Sequence, residues 1–244
     1  HAEHHQIGEP RRPRRERNCP GPAATSESVL SPDEKELGVA LVDIGGGTTD
    51  IAVFHEGSIK HTAILTVGGN YLTNDISIGL RTPVIEAEKM KIKYGCANTF
   101  MIPQNETIDV PSVGGREARR VSRQILGEII QPRMEEILTM TQKEIVKSGY
   151  EDLLAAGVVL TGGASIMDGT LELGERIFNM PVRRGFPLGI GGLTDIVNSP
   201  LYATGVGLVN YGSKSFAHKA TRRKEGGPGN YILKKAKKWF SEFF

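Results

Sequence analysis

The chain has 244 residues, enough to bury a core without a disulfide or metal staple, and a formal net charge of +2. That near balance excludes a protein that coats nucleic acid with its whole surface, so any basic function is local. Its two cysteines, Cys19 and Cys96, lie far apart without metal-ligand spacing and read as reduced thiols of a cytoplasmic protein.

Residues 1 to 28 are rich in His, Arg and Pro and contain the run Arg11-Arg12-Pro13-Arg14-Arg15. They show neither a helical nor a strand period and read as a disordered, basic, proline-rich segment. The segment holds no Phe, Tyr or Trp to stack on a base, and its arginines and prolines stand where a signal peptide needs an apolar stretch. No apolar run approaches the roughly 18 to 20 residues of a spanning helix.

From Gly38 the texture changes to β-branched runs broken by glycine. Val39 to Ile44, Ile51 to Phe54 and Ile59 to Val67 predict three strands. The breaks, Gly45-Gly46-Gly47-Thr48-Thr49 and His55-Glu56-Gly57-Ser58, suit tight turns and hence an antiparallel meander. Helices are expected over 70 to 80 and 83 to 94, with Pro83 in the first turn of the second. Residues 115 to 148 predict one long helix or two, kinked or divided at Pro132. Residues 155 to 160 suit a buried strand, which ends in Thr161-Gly162-Gly163-Ala164-Ser165 before a helix over about 169 to 179. A last helix is expected over 200 to 211, followed by a stretch with the glycine, proline and charge of a linker.

Two glycine-rich turns that each follow a buried strand bring backbone amides close to an anion. A P-loop needs a lysine after its last glycine, whereas Gly47 is followed by Thr48, Thr49 and Asp50. A dinucleotide fingerprint needs a third glycine opening a helix, whereas the residues after Asp50 alternate as a strand. Both are excluded. A hairpin tip remains, offering the amides of Gly45, Gly46 and Gly47 and the Thr48 hydroxyl to phosphate, with Asp43 to hold the hydration shell of Mg²⁺ through water.

Asp43-Ile44-Gly45-Gly46-Gly47-Thr48-Thr49-Asp50 resembles the second phosphate loop of the actin, sugar-kinase and DnaK-type chaperone superfamily. Val158-Val159-Leu160-Thr161-Gly162-Gly163-Ala164-Ser165 resembles its adenosine loop. Ala87-Glu88-Lys89-Met90-Lys91 is similar to the helix laid against the adenine and ribose, and three-residue spacing puts Glu88 and Lys91 on one face. Within the superfamily the chain resembles the FtsA family of bacterial cell-division proteins. The run from Asp33 to Ala40, Gly68-Gly69-Asn70 and Gly189-Ile190-Gly191-Gly192-Leu193-Thr194-Asp195 carry that likeness, which covers roughly residues 26 to 244. The resemblance implies ATP with Mg²⁺ as ligand, self-association into actin-like polymers, and tethering of FtsZ. It also implies that the FtsZ tail docks on residues 81 to 149. The first phosphate loop and the inserted subdomain of the family's first half are not found in this sequence. A truncated or frame-shifted reading frame is therefore expected, with weak or absent ATP binding and no turnover.

The final stretch reads Tyr-Ile-Leu-Lys-Lys-Ala-Lys-Lys-Trp-Phe-Ser-Glu-Phe-Phe. On a helical wheel Ile232, Leu233, Ala236, Trp239, Phe240, Phe243 and Phe244 fall within an arc of about 140°, opposite Lys234, Lys235, Lys237, Lys238 and Glu242. Four lysines at an anionic leaflet contribute roughly 1 kcal/mol each, and the aromatic residues bury in the interface. Isolated helices need about 12 to 15 residues even with favourable sequences, so this one is expected to fold as it binds. A helix packed on its own core is the rival reading, against which the long linker stands.

The fold class expected is α/β, an actin-like (ribonuclease H-like) second half with a β-meander plus helices, followed by a C-terminal amphipathic helix. Residues 29 to 80 and 150 to 200 would form the nucleotide-binding subdomain, 81 to 149 the inserted subdomain, 201 to 212 the returning helix, 213 to 229 the linker and 230 to 244 the membrane helix. The function expected is a scaffold that anchors the FtsZ ring to anionic inner-membrane lipids, on the cytoplasmic face at the division septum. Nucleic acid is not an expected partner. The rival class is an enzyme of the same fold, a sugar kinase or an independent ATPase.

Overall fold

Strand β1 (Val39–Ile44) sends alternate side chains to opposite faces of a sheet, and both faces are covered. Ala40, Val42 and Ile44 join a large cluster with Leu72, Ile76, Met90, Leu126, Ile130 and Met134. Val39 and Leu41 join a smaller one with Val29, Leu30, Phe54, Val159 and Ala203. Asp43 is the sole residue of the strand that is not fully buried. The computed structural model describes residues 20–114, 117–189 and 197–213.

Strand β1 pairs antiparallel with β2 (Thr49–His55), and β2 with β3 (Ser58–Leu65), which is the expected meander. On its other side β1 pairs parallel with β6 (Val158–Thr161), and β6 with β7 (Val182–Arg184), giving the order β3-β2-β1-β6-β7. A parallel pair needs a crossover that covers one face of the sheet. Helices α3 (Gly69–Gly79), α4 (Val84–Tyr94) and α5 (Arg123–Ser148) lie within that crossover, and α6 (Thr170–Phe178) follows β6. The other face is covered by α1 (Pro20–Val29) and by α7 (203–213), reached through a 3₁₀ turn at Pro200–Tyr202. Between α1 and β1, the short α2 (Pro32–Leu37) carries a capping box: the Ser31 amide donates to Glu34 at 2.8 Å and the Glu34 amide to the Ser31 hydroxyl at 3.2 Å. Arg183 of β7 grips the same Glu34 with two nitrogens, at 2.6 and 2.8 Å.

Three expectations need correction. Residues 20 to 28 are not disordered. They form α1, which buries Ala24, Thr25, Ser26 and Ser28, small residues whose burial comes from close approach rather than from an apolar stripe. Residues 115 to 148 are not helical throughout. Strands β4 (Thr107–Val110) and β5 (Arg119–Ser122) pair as a hairpin, and α5 begins only at Arg123, where the Ser122 side chain accepts from the Gln124 amide. Pro132 does not divide α5. Buried residues on either side, Ile130, Met134, Ile137 and Leu138, hold the helix through the one hydrogen bond that proline removes. Arg133 also ties it to α3, with Nε 2.6 Å and Nη2 3.2 Å from the Asp75 carboxylate. Cys96 is a buried free thiol, and Cys19 lies outside the described residues.

Candidate functional site

The turn between β1 and β2 is closed by the Gly45 amide donating to the Thr48 carbonyl at 2.9 Å. The carbonyls of Gly45 and Gly46 face the start of α3, accepting from the amides of Gly69 at 2.9 Å and Asn70 at 2.8 Å. A trans peptide sets its C=O and the next N–H in opposite directions. The Gly46 and Gly47 amides are therefore turned away from α3, and among the described residues neither has a protein acceptor. Gly46, Gly47 and Thr48 are all exposed. Two free, exposed amides side by side are donors of the kind an anion needs. Gly68 is required beneath the turn, because a β-carbon there would lie 2.6 Å from the Gly45 oxygen and 2.8 Å from the Gly46 oxygen. The Thr48 hydroxyl donates to Asp50 at 3.1 Å.

Asp43 ends the row of β1 side chains that faces α1 and α7. Its Oδ2 accepts from the Thr204 hydroxyl at 2.7 Å, and the Thr25 hydroxyl lies within reach at 3.3 Å. Burial pushes its carboxyl above the usual range, helped by the charge of Asp50, which is its direct partner across the β1–β2 ladder; the two threonine hydroxyls act in the opposite sense. Asp50 is raised as well, by burial.

The α4 pair forms as its spacing predicts, with Lys91 Nζ 2.7 Å from Glu88. Lys91 also donates to the Gly69 carbonyl at 3.0 Å and to Thr73 at 2.9 Å, so all three of its N–H donors are used. Thr73 in turn donates to Glu88. Burial acts to raise the Glu88 carboxyl, but the hydrogen bonds from Lys91 and Thr73 and the Lys91 charge outweigh it and hold the group below the ordinary range. Lys91 thus braces the start of α3 beneath the glycine turn.

Gly162 follows β6 at φ +84, and a β-carbon there would lie 2.4 Å from Asp43 Oδ1 and 2.6 Å from the Ile44 carbonyl oxygen. Only glycine admits this second turn so close to the first. Ser165 donates to the Gly162 carbonyl at 2.8 Å, and Arg184 Nε to the Ser165 carbonyl at 3.0 Å, which fixes the turn containing Gly163 and Ala164. All three predicted segments meet at Gly69. A β-carbon there would be 3.4 Å from Lys91 Nζ, 3.5 Å from the Gly45 oxygen and 3.7 Å from Ala164 Cβ.

Gly69, Asn70, Thr73, Thr25 and Thr204 are absent from the residues that sequence reasoning assigns to the site. The Gly68-Gly69 pair was the available signal; Thr25 and Thr204 have none, lying 179 residues apart in helices without a motif. The expected membrane-binding residues, Ile232 to Phe244, lie outside the described residues.

The model of the family described as cell division protein FtsA matches residues 40–207. The chain belongs to the FtsA family. It is 51% identical over 222 residues to cell division protein FtsA of Pseudomonas aeruginosa, covering 88% of this chain and 53% of that protein. Against FtsA of Escherichia coli the identity is 42% over 231 residues, covering 91% of this chain and 55% of that protein. The chain spans about half the length of the FtsA relatives it matches. Among solved structures, MreB 5 of Spiroplasma citri bound to AMPPNP superposes with a TM-score of 0.65 at 19% identity, covering 85% of this chain and 60% of that one. The MamK double helical filament superposes with a TM-score of 0.56 at 19% identity, covering 79% and 58%. These likenesses establish the actin-like fold of this FtsA-family chain.

Proposed function

We propose that this chain acts in cell division as the nucleotide-binding and membrane-tethering half of an actin-like scaffold that holds FtsZ. The observation that carries the reading is the meeting of the two glycine turns and the α4 pair at Gly69. The outward amides of Gly46 and Gly47 suit the phosphates of ATP; Asp43 suits the hydration shell of Mg²⁺; and Gly162, Gly163, Ala164, Glu88 and Lys91 wall the adenosine side. Bound Mg²⁺ would neutralise phosphate charge beside Asp43 and Asp50. The phosphate turn is open to solvent, so ATP held on it keeps much of its hydration and binds this chain weakly, without turnover.

FtsZ is the proposed partner, with residues 81 to 149 as the docking region, and copies of the chain associate in actin-like polymers. Residues 213 to 229 serve as the linker, and 230 to 244 bind anionic lipids at the cytoplasmic face of the division septum. No described helix is long and apolar enough to cross a membrane. One tail binds reversibly, while polymerised copies hold the membrane through avidity.

Co-sedimentation with FtsZ and anionic vesicles, with and without residues 230 to 244, tests partner and tether together. The full chain should bring FtsZ down with vesicles and the shortened chain should leave it in solution. Vesicle binding by the full chain that recruits no FtsZ would refute the scaffold reading. Replacing Trp239 and Phe240 with glutamate should abolish flotation with the vesicles, and unchanged recovery would make the tail a core helix.

A further inference from the structure

We infer that Thr204, braced by Thr25, is a positioning residue for Asp43, fixing the carboxylate beside the phosphate turn and making the last helix part of the site. The alternation of β1 carries Asp43 to the face where Val39 and Leu41 pack with Val29, Phe54 and Ala203. A carboxylate at the end of such a row needs donors, since an unpaired buried charge is costly. No cation supplies them among the described residues. The charge that acts on Asp43 is that of Asp50, which repels it.

Each threonine has one hydroxyl proton. The short 2.7 Å contact assigns the Thr204 proton to Asp43, which leaves the Thr204 oxygen to accept from Thr25 at 3.0 Å. The chain Thr25 to Thr204 to Asp43 therefore runs from α1 through α7 to β1. Thr25 lies 3.3 Å from the carboxylate itself and also 3.0 Å from the Gly21 carbonyl, so its direct hold is the weaker one. Two glycines set the register. Gly207, one helical turn after Thr204, lets α7 approach Ala24, the neighbour of Thr25, and Gly162 leaves room for Asp43 Oδ1 on the opposite side. The carboxylate is thereby held at Oδ2, with Oδ1 lying in the space that Gly162 leaves. The consequence for Mg²⁺ rests on the proposed function; the positioning does not.

The test follows the Asp43 carboxyl by ¹³C NMR titration of the 244-residue chain and its T204V, T204S and T25V variants. Loss of the Thr204 donor removes a bond made to the ionised form, so T204V should move the Asp43 midpoint to higher pH and T204S should restore it. T25V should move it the same way by less. Calorimetry with Mg²⁺ and ATP should show about a tenfold loss of magnesium-dependent affinity in T204V and little change in T204S. An unmoved Asp43 midpoint in T204V, or a T204S variant that behaves as T204V does, overturns the inference. If T204V fails to fold, an unmoved midpoint in T25V overturns it instead. Absence of magnesium-dependent ATP binding in the parent chain would defeat the nucleotide reading alone, because the Asp43 titration needs no nucleotide.

Discussion

Gly207 presses against Ala24 so closely that a β-carbon on it would stand 2.0 Å from the Ala24 carbonyl oxygen. Both groups near the contact are helical backbone, so neither can rotate away as a side chain would. Alanine is a better helix former than glycine by about 1 kcal/mol, yet this overlap is expected to win, and G207A should lose about 3 kcal/mol in urea unfolding. Gly205 in the same helix has nothing within 4 Å of its would-be β-carbon, so G205A should be neutral or slightly stabilising. A G207A protein as stable as G205A would mean that α1 and α7 can separate freely.

Gly68, beneath the turn between β1 and β2, and Gly47, within it, make a similar contrast. The would-be β-carbon of Gly68 meets two backbone oxygens under 3 Å away, whereas that of Gly47 meets nothing within 4 Å. We expect G68A to cost about 2 kcal/mol and G47A to stay within about 0.5 kcal/mol of the parent in denaturant unfolding. Equal midpoints for the two variants would show that the Gly69 and Asn70 hydrogen bonds to the turn are not what shapes it.

The central architecture was readable because its signals are local. The β-branched apolar runs in Val39–Ile44 and Thr49–His55, with glycine between, specify a hairpin whatever surrounds it, and the three-residue spacing of Glu88 and Lys91 needs only a helix to form the pair. The β4–β5 hairpin was not readable. Strand β4 does alternate, with Ile108 and Val110 buried and Thr107 and Asp109 exposed, but over four residues only, and β5 buries no residue fully, so nothing sets it apart from the helical pattern that follows. Helix α1 was missed for another reason: Ala24, Thr25, Ser26 and Ser28 are buried by α7 and the sheet, and small polar residues carry no hydropathy that would announce it. The Asp43 clamp shares that obstacle, since Thr25 and Thr204 meet only when the fold is complete.

Asp43 should make the neutral protein less stable than it could be. Its carboxyl is raised above the ordinary value of 3.8, so ionising it costs stability at every pH above the folded-state value and costs nothing below 3.8. An asparagine keeps an oxygen to accept from Thr204 and removes the charge. D43N is therefore expected to melt above the parent at pH 7, with the two curves converging in acid, when followed by circular dichroism. A D43N protein that melts lower at pH 7 would show that the ionised carboxylate supports the fold. The same substitution should weaken magnesium-dependent ATP binding, a trade of stability for function.

Glu88 should show the opposite dependence. Its carboxyl lies below the ordinary value of 4.5, so the ionised form is favoured in the fold, and its contribution is fully present above 4.5 and lost as pH falls through the lowered folded-state value. Its side chain is 41% exposed, and solvent screening limits the gain, so E88Q should cost about 1 kcal/mol or less at pH 7. That difference should shrink toward zero in urea unfolding as the pH falls through the lowered folded-state value. K91M should cost more, about 1 to 2 kcal/mol, because it strips donors from the Gly69 carbonyl and Thr73 as well as from Glu88. The comparison separates the two roles of the pair. If Lys91 served only as the counter-charge of Glu88, K91M and E88Q would lose equal stability and the K91M cost would fade in acid along with that of E88Q. If Lys91 also braces the start of α3, part of the K91M cost persists at low pH, where Glu88 is protonated but the Gly69 carbonyl still lacks its donor.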